Sequence, residues 1–243
     1  MFPFAGGSAS SFHAYSAALS SRFRVLCVQY PGRQDRVREA LVDDVRELAG
    51  GVLADITELD DRPLAFFGHS MGAVVAFEAA HMLRRTTGRV PERLFASGRA
   101  APSRSARPTT PLVHTMSDTE LTAHLRESGA TDPRVAADSA LLSYALPSVR
   151  SDYRAIETYR CPPGRRIACP VTVLAGDRDP LVPLENAAAW AEHTSAGCEL
   201  LAFPGGDHFF LLSARDRVVE VITDRLAPAS ASADGRKARH VGP

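Results

Sequence analysis

The chain of 243 residues carries 28 basic and 28 acidic residues, so its formal net charge is zero. This balance gives no electrostatic reason to expect a nucleic acid or an anionic membrane as a partner, and no apolar stretch approaches the roughly 18 residues of a membrane span. With 45% hydrophobic residues the chain can bury a large core, and we expect one domain over residues 1–227.

The N-terminus lacks the basic and apolar regions of a secretory signal, so we expect a cytoplasmic protein. Its four cysteines are scattered without the Cys-x-x-Cys spacing of zinc sites: Cys27, Cys161, Cys169 and Cys198. We therefore expect four ordinary thiols, no metal and no cofactor.

Short apolar runs alternate with segments whose apolar residues recur at helical spacing. The runs predict strands over residues 24–29, 64–67, 93–97, 171–175 and 199–203. The helical spacing predicts helices over residues 42–59, 74–82, 184–194 and 210–226. Such alternation predicts an α/β fold with a mostly parallel central sheet flanked by helices.

The region between residues 98 and 169 breaks the alternation, because it has helix-like segments and no strand pattern. These segments cover residues 117–128, 134–146 and 152–159. Ser117 and Glu120 have the spacing of a capping box that opens the first helix. We expect a helical insertion over about residues 99–168 that covers the C-terminal edge of the strands as a lid; a helical cap without a gating role is the alternative.

The C-terminal tail, residues 228–243, consists mainly of small and polar residues with a weakly basic end. Such a segment cannot bury enough apolar area to offset the loss of chain entropy on ordering. We therefore expect a disordered tail.

The segment Gly68-His69-Ser70-Met71-Gly72 lies between a predicted strand and a predicted helix. Gly-x-Ser-x-Gly in this setting predicts a nucleophile elbow, a sharp turn that lifts the serine hydroxyl clear of the sheet. The motif also occurs in ordinary loops, so it is the strand before it and the helix after it that favour Ser70 as the nucleophile of an acyl-transferring hydrolase.

A nucleophilic serine needs a histidine base and an acid that orients it, in the chain order Ser, Asp or Glu, His for this fold class. His208 follows the last predicted strand, and Asp179 follows the strand before it. Asp177 and Asp207 are weaker candidates for the acid, Asp177 because its place in the turn favours a solvated or turn-capping carboxylate. The remaining histidines are expected on the surface or in the core: His13, His69, His81, His114, His124, His193 and His240.

Two backbone amides are needed to stabilise the oxyanion of acyl transfer. The first is expected from Met71, directly after the nucleophile. The second is expected from Ala5, because the loop Phe2-Pro3-Phe4-Ala5-Gly6-Gly7 has glycines that let the backbone approach a substrate carbonyl.

Several segments besides the elbow carry a family resemblance. They are Phe2-Pro3-Phe4-Ala5-Gly6-Gly7-Ser8-Ala9, Tyr30-Pro31-Gly32-Arg33-Gln34-Asp35-Arg36, Ser97-Gly98-Arg99-Ala100-Ala101-Pro102, Leu146-Pro147-Ser148-Val149-Arg150-Ser151-Asp152-Tyr153 and Gly176-Asp177-Arg178-Asp179-Pro180. With Gly68-His69-Ser70-Met71-Gly72 they resemble the type II thioesterases of polyketide and nonribosomal peptide assembly lines, which have the α/β-hydrolase fold. The similarity extends from Phe2 to about Leu226.

This resemblance implies hydrolysis of acyl or aminoacyl thioesters on the phosphopantetheine arm of acyl or peptidyl carrier proteins. Such a stand-alone enzyme, expected as a monomer, clears stalled or misprimed units during antibiotic biosynthesis. Two alternatives remain from the sequence. One is a carboxylesterase or lactonase with the same triad, and the other is an inactive carrier-binding accessory protein.

The chain departs from the family pattern at its start. Family members have a strand that leads into the Pro-x-Ala-Gly-Gly loop, whereas this sequence begins inside that loop at Met1-Phe2-Pro3. We therefore expect the N-terminal strand of the sheet to be missing and the position of Ala5 to be poorly supported. Phe4 also stands where the family often has His or Tyr.

Overall fold

Parallel strands form the sheet in the computed structural model, which describes residues 1–59, 62–104, 111–128 and 137–227. Within these residues the sheet has four strands in the order β1-β2-β3-β4. Their bounds are Ala65–His69 (β1), Arg93–Ser97 (β2), Val171–Gly176 (β3) and Cys198–Phe203 (β4). The prediction of an α/β fold is confirmed. Strand β3 is buried at every position.

Helices flank this sheet. Their bounds are His13–Leu19 (α1), Val45–Thr57 (α2), Met71–Thr87 (α3), Asp118–Ser128 (α4), Ser139–Thr158 (α5), Leu184–Ala188 (α6), Phe210–Ser213 (α7) and Arg215–Leu226 (α8). Short 3-10 turns cover Ala9–Phe12, Gln34–Arg36, Pro102–Arg104, Val113–Thr115 and Ala189–His193. The predicted helix over residues 184–194 is therefore α6 followed by a 3-10 turn, and the one over residues 210–226 is divided at Ala214.

Two apolar clusters lie on opposite faces of the sheet. The larger contains the buried faces of α2 and α3, with Phe77 and Trp190 among its fully buried side chains. The other packs α1, α7 and α8 against Phe67, Phe95 and Leu174. Burial on both faces of β1, β2 and β3 explains why these strands read as continuous apolar runs in the sequence.

The strand predicted over residues 24–29 is wrong, since this segment has no strand assignment. It lies beside Met1, whose terminal ammonium group donates to Leu26 O and whose carbonyl accepts from Val28 N at 2.9 Å. Phe2 in turn bridges to β1 at Gly68. Two hydrogen bonds to one residue are too few for a β-ladder, so apolar composition alone does not make this segment a strand.

The predicted insertion contains one helix that agrees with expectation and one that differs from it. The capping box is confirmed, because Ser117 N donates to Glu120 Oε2 at 2.7 Å and Glu120 N donates to Ser117 Oγ at 3.3 Å. Helix α5, in contrast, runs through the interval between two predicted helices and includes Pro147. Its N-terminal cap is Asp138, which accepts from the amides of Ala140 and Leu141. The predicted tail, residues 228–243, lies outside the described residues.

Candidate active site

Ser70 lies on the sharp turn between β1 and α3. Its backbone has φ 52° and ψ −120°, a conformation that non-glycine residues rarely adopt. A Cβ at Gly68 would overlap the backbone of Gly72, and a Cβ at Gly72 would overlap the carbonyl oxygens of Phe2 and Pro3. The glycines of the motif are therefore required by close backbone approach on both sides of the serine.

The structure brings His208 to this turn. Its loop follows β4, and its Nε2 lies 3.1 Å from Ser70 Oγ. The other ring nitrogen, Nδ1, lies 2.7 Å from Oδ2 of Asp179, in the loop after β3. Asp179 is only 7% exposed, and its Oδ1 accepts from Leu181 N at 2.8 Å. A hydrogen bond to each carboxylate oxygen fixes the carboxylate, and the carboxylate fixes the imidazole.

The two alternative acids lie elsewhere. Asp177 is exposed, and its Oδ1 accepts from Gly205 N at 2.7 Å, which ties the loop after β3 to the loop after β4. Asp207 is exposed beside His208 in the sequence. Only the carboxylate of Asp179 is found within hydrogen-bonding distance of His208 among the described side chains.

The two amides expected for the oxyanion hole are both without an acceptor in the described part of the chain. Met71 is the first residue of α3, where the backbone N–H has no partner within the helix. Ala5 lies in the loop that passes over the elbow, where Phe2 N donates to Phe67 O at 2.7 Å and Gly7 N donates to Phe4 O at 2.8 Å.

One buried residue beside the site was not recognised from the sequence as part of it. His69 is fully buried, its Nδ1 lies 3.0 Å from Ser97 Oγ, and its ring centre lies 5.2 Å from that of His208. Phe4 and Phe209 pack against the same ring. Burial, and next the proximity of His208, hold the pKa of His69 well below its usual value. The ring is therefore neutral, and no sequence pattern indicates this contact because it joins separate loops.

Within the described residues, no group of His, Cys, Asp and Glu side chains is arranged to hold a metal ion. No helix among them combines the length and the apolar composition needed to cross a membrane. All four cysteines are free thiols.

Comparisons with known proteins agree with this architecture. A family model described as a thioesterase domain matches residues 1–226. A probable cadicidin biosynthesis thioesterase from Streptomyces griseus is 45% identical over 94% of this chain, and thioesterase PikA5 from Streptomyces venezuelae is 45% identical over 96%. The chain spans 63% of the length of the first relative and 82% of the second.

A solved structure, the type II thioesterase BorB from the borrelidin biosynthetic cluster, is 45% identical to this chain. It superposes with a TM-score of 0.85 over 92% of this chain and 89% of BorB.

A parallel sheet between two layers of helices, with a serine on the strained turn after β1, defines an α/β-hydrolase. The match over residues 1–226 then identifies the family, since it covers almost the whole described chain. The chain belongs to the thioesterase family, and its relatives and structural neighbours include type II thioesterases.

Proposed function

We propose that Ser70, His208 and Asp179 form the catalytic triad of a thioesterase that hydrolyses acyl or aminoacyl thioesters held on the phosphopantetheine arm of carrier proteins. The observation that carries this proposal is the hydrogen-bonded chain from Ser70 Oγ through His208 to Asp179, with distances of 3.1 Å and 2.7 Å. Each of these residues follows the C-terminal end of a strand, the edge at which α/β sheets bind ligands.

The first half of the reaction transfers the acyl group to the enzyme. Ser70 Oγ attacks the thioester carbonyl carbon while His208 Nε2 accepts the hydroxyl proton. Asp179 keeps a proton on Nδ1, so that Nε2 is free to act as the base, and it stabilises the imidazolium that forms. The tetrahedral intermediate collapses, the C–S bond breaks, and His208 returns the proton to the departing thiol.

The second half releases the acid. A water molecule gives a proton to His208 and attacks the carbonyl carbon of the acyl-serine. The ester C–O bond then breaks, and His208 returns the proton to Ser70 Oγ. In both steps the amides of Met71 and Ala5 would donate to the oxyanion, since neither has another acceptor in the described residues.

The substrate class follows from the family. The type II thioesterase BorB belongs to the borrelidin biosynthetic cluster, and the relative from S. griseus belongs to cadicidin biosynthesis. By similarity, the partner is an acyl or peptidyl carrier protein of an assembly line, and the reaction removes stalled or misprimed units from it.

Helices α4 and α5 would form the cover of the acyl site. Helix α5 contacts the loop that carries Ala5, since Asp152 accepts from Gly6 N at 2.7 Å. The insertion predicted over about residues 99–168 therefore adjoins the reacting centre, which supports its assignment as a lid.

The proposal is tested by measuring release of short acyl groups from acyl-carrier protein. We expect Ser70→Ala to abolish release and Asp179→Asn to lower kcat by about 10³-fold to 10⁴-fold, because the amide leaves His208 in the wrong tautomer. Asp177→Asn is the matched control, since this exposed carboxylate does not contact His208. Normal release by Ser70→Ala, or equal losses for the two aspartate variants, would contradict the triad.

Two further measurements separate the alternatives. A thioesterase of assembly lines should hydrolyse acyl-carrier protein with a higher kcat/KM than a nitrophenyl ester of the same acyl group, whereas the reverse order would indicate an esterase or lactonase. Labelling of Ser70 by a fluorophosphonate requires an activated serine, so failure to label would indicate an inactive accessory protein.

A further inference from the structure

A buried carboxylate of α5 contacts the loop that carries the expected oxyanion donor. Asp152 has no exposed surface, and its Oδ2 accepts from Gly6 N at 2.7 Å. Gly6 follows Ala5 directly, so this bond fixes the peptide unit on the C-terminal side of the expected donor. A contact between residues 146 positions apart joins the insertion to the N-terminal loop.

Arg33 completes this contact from a third segment. Its Nη1 and Nη2 lie 2.7 Å and 2.9 Å from the two carboxylate oxygens of Asp152, which is the bidentate geometry of a strong ion pair. Nη1 also donates to Gly7 O at 3.1 Å, and Arg33 is only 5% exposed. Consecutive residues of the loop are therefore held by one ion pair, Gly6 through its N–H and Gly7 through its carbonyl.

A second contact with α5 restrains the same residue. Gly6 has φ 74°, and a Cβ placed there would lie 2.5 Å from Cγ2 of Val149. Val149 and Asp152 are separated by three positions, so they lie on one face of α5. The loop thus rests against the helix through both a polar and an apolar contact.

A buried ion pair is a poor source of stability, because the loss of hydration of the two charges offsets most of their attraction. Hydrophobic residues of similar size often give equal or greater stability at such positions. An apolar pair, however, could not hold the N–H of Gly6 and the carbonyl of Gly7. The polar groups therefore provide orientation of the loop, which apolar packing does not.

We propose that Asp152 and Arg33 are positioning residues that align the Ala5 amide for the oxyanion and couple the oxyanion hole to the seating of α5. The proposal rests on the proposed function, in which Ala5 donates to the oxyanion. Displacement of α5 withdraws the carboxylate from Gly6 and Arg33 together, so the hole is complete only when the helix is in place.

The test compares Asp152→Asn with the double variant Arg33→Met/Asp152→Leu. The single variant leaves a buried guanidinium unpaired and is expected to lower stability. The double variant removes both charges and leaves only the Gly6 N–H and the Gly7 carbonyl without their partners, so it should lose less stability than the single variant. In both we expect kcat to fall by about tenfold or more with KM within about twofold, since a misaligned donor acts on the transition state and not on substrate binding.

Glu78→Gln is the matched control. Glu78 is also a fully buried carboxylate, bound by Arg165 and by the hydroxyl of Tyr159, and its hydrogen bonds and ion pairs among the described residues do not include the oxyanion loop. We expect this variant to lose stability and to keep its kcat. The readout is kcat per serine that a fluorophosphonate can titrate, which corrects for unfolded protein.

The rate of fluorophosphonate labelling provides a readout that does not depend on the natural substrate. Labelling forms an O–P bond at Ser70 and releases fluoride, and the phosphoryl oxygen occupies the oxyanion hole. We expect labelling to be about tenfold slower in Asp152→Asn and in Arg33→Met/Asp152→Leu, and unchanged in Glu78→Gln. Unchanged labelling and kcat in the folded double variant would overturn the proposal. If the unsubstituted protein hydrolyses no carrier thioester, the proposed substrate is wrong, and the labelling rates still decide the role of Asp152 and Arg33.

Discussion

His69 packs beside His208, the proposed base, and stays neutral in the folded protein. It is enclosed by the rings of Phe4, Phe209 and His208 and lies 3.0 Å from Ser97 Oγ. A charge on this ring would be buried beside His208, which would become positively charged in the proposed mechanism. The low pKa of His69 therefore keeps a second positive charge away from the proposed base.

Protonation of His69 links stability to pH. Its folded pKa lies below its unfolded pKa of about 6.5, so the unfolded chain binds more protons in acid, and stability should fall as pH drops below about 6.5. One such proton contributes a slope of up to about 1.4 kcal/mol per pH unit. Urea unfolding between pH 5 and pH 8, as a test range of about three units, should give a smaller slope for His69→Gln. Equal slopes would contradict the prediction. Burial also lowers the pKa of His81 and of His193, so both contribute to the slope that remains.

The candidate site could be predicted only as far as its residues have local signals. Ser70 has glycine neighbours at fixed spacing, and His208 and Asp179 follow apolar runs that predict strands. The structure places Asp179 against His208 and Asp177 against Gly205. The contacts of His69 with His208 and of Asp152 with Gly6 have no such signal, because each depends on how distant segments pack.

At the scale of elements, contacts between distant segments determined which predictions succeeded. The strands β1 to β4 were predicted within about two residues, since their apolar runs are flanked by polar turns. Residues 24–29 have a similar run but lack a ladder partner of sufficient length. Helix α5 passes through Pro147 because buried side chains on both sides of it, Leu146 and Val149 among them, stabilise one continuous helix.

Pro147 should destabilise α5 relative to a residue with a backbone N–H. A proline in a helix interior costs about 3 kcal/mol, and part of this is offset because proline also restricts the unfolded chain by about 1 kcal/mol. Pro147 is exposed, so Pro147→Ala removes no core contact. We expect the free energy of unfolding to rise by about 1–2 kcal/mol in urea titrations.

Pro204→Ala is the control for this prediction. Pro204 is exposed and occupies the second position of a turn that is closed by Gly206 N donating to Phe203 O. Gly205 at the third position has φ 72°, and proline fits the second position of such a turn. We expect this variant to be less stable by about 0.4–1 kcal/mol. If Pro147→Ala also lowered the free energy of unfolding, Pro147 would not destabilise α5, and the prediction would be wrong.

At the scale of the whole molecule, stability is distributed unevenly between the sheet and the insertion. The two large clusters share the strands, so neither can open without exposing the other face of the sheet. The third cluster is small and lies within the insertion. Its buried members are Val113, Leu121, Leu125, Leu142, Leu146 and Val149. A unit with so little buried apolar area can open on its own.

Hydrogen exchange should therefore distinguish the amides of the insertion from those of the sheet and α3. Among the side chains of α4 that the structure describes, those of Leu121 and Leu125 are buried, and both lie in the small cluster with α5. The amides of α4 should therefore exchange through local opening, at a rate independent of low urea concentrations. Amides of β2, β3 and α3 should exchange only through global unfolding, with a rate that rises steeply with urea. Mass spectrometry of peptides from 118–128 and 171–176 measures the difference. Exchange with the same urea dependence in both peptides would contradict an insertion that opens separately. It would also argue against the proposed lid over Ser70, which would have to open to admit an acylated carrier arm.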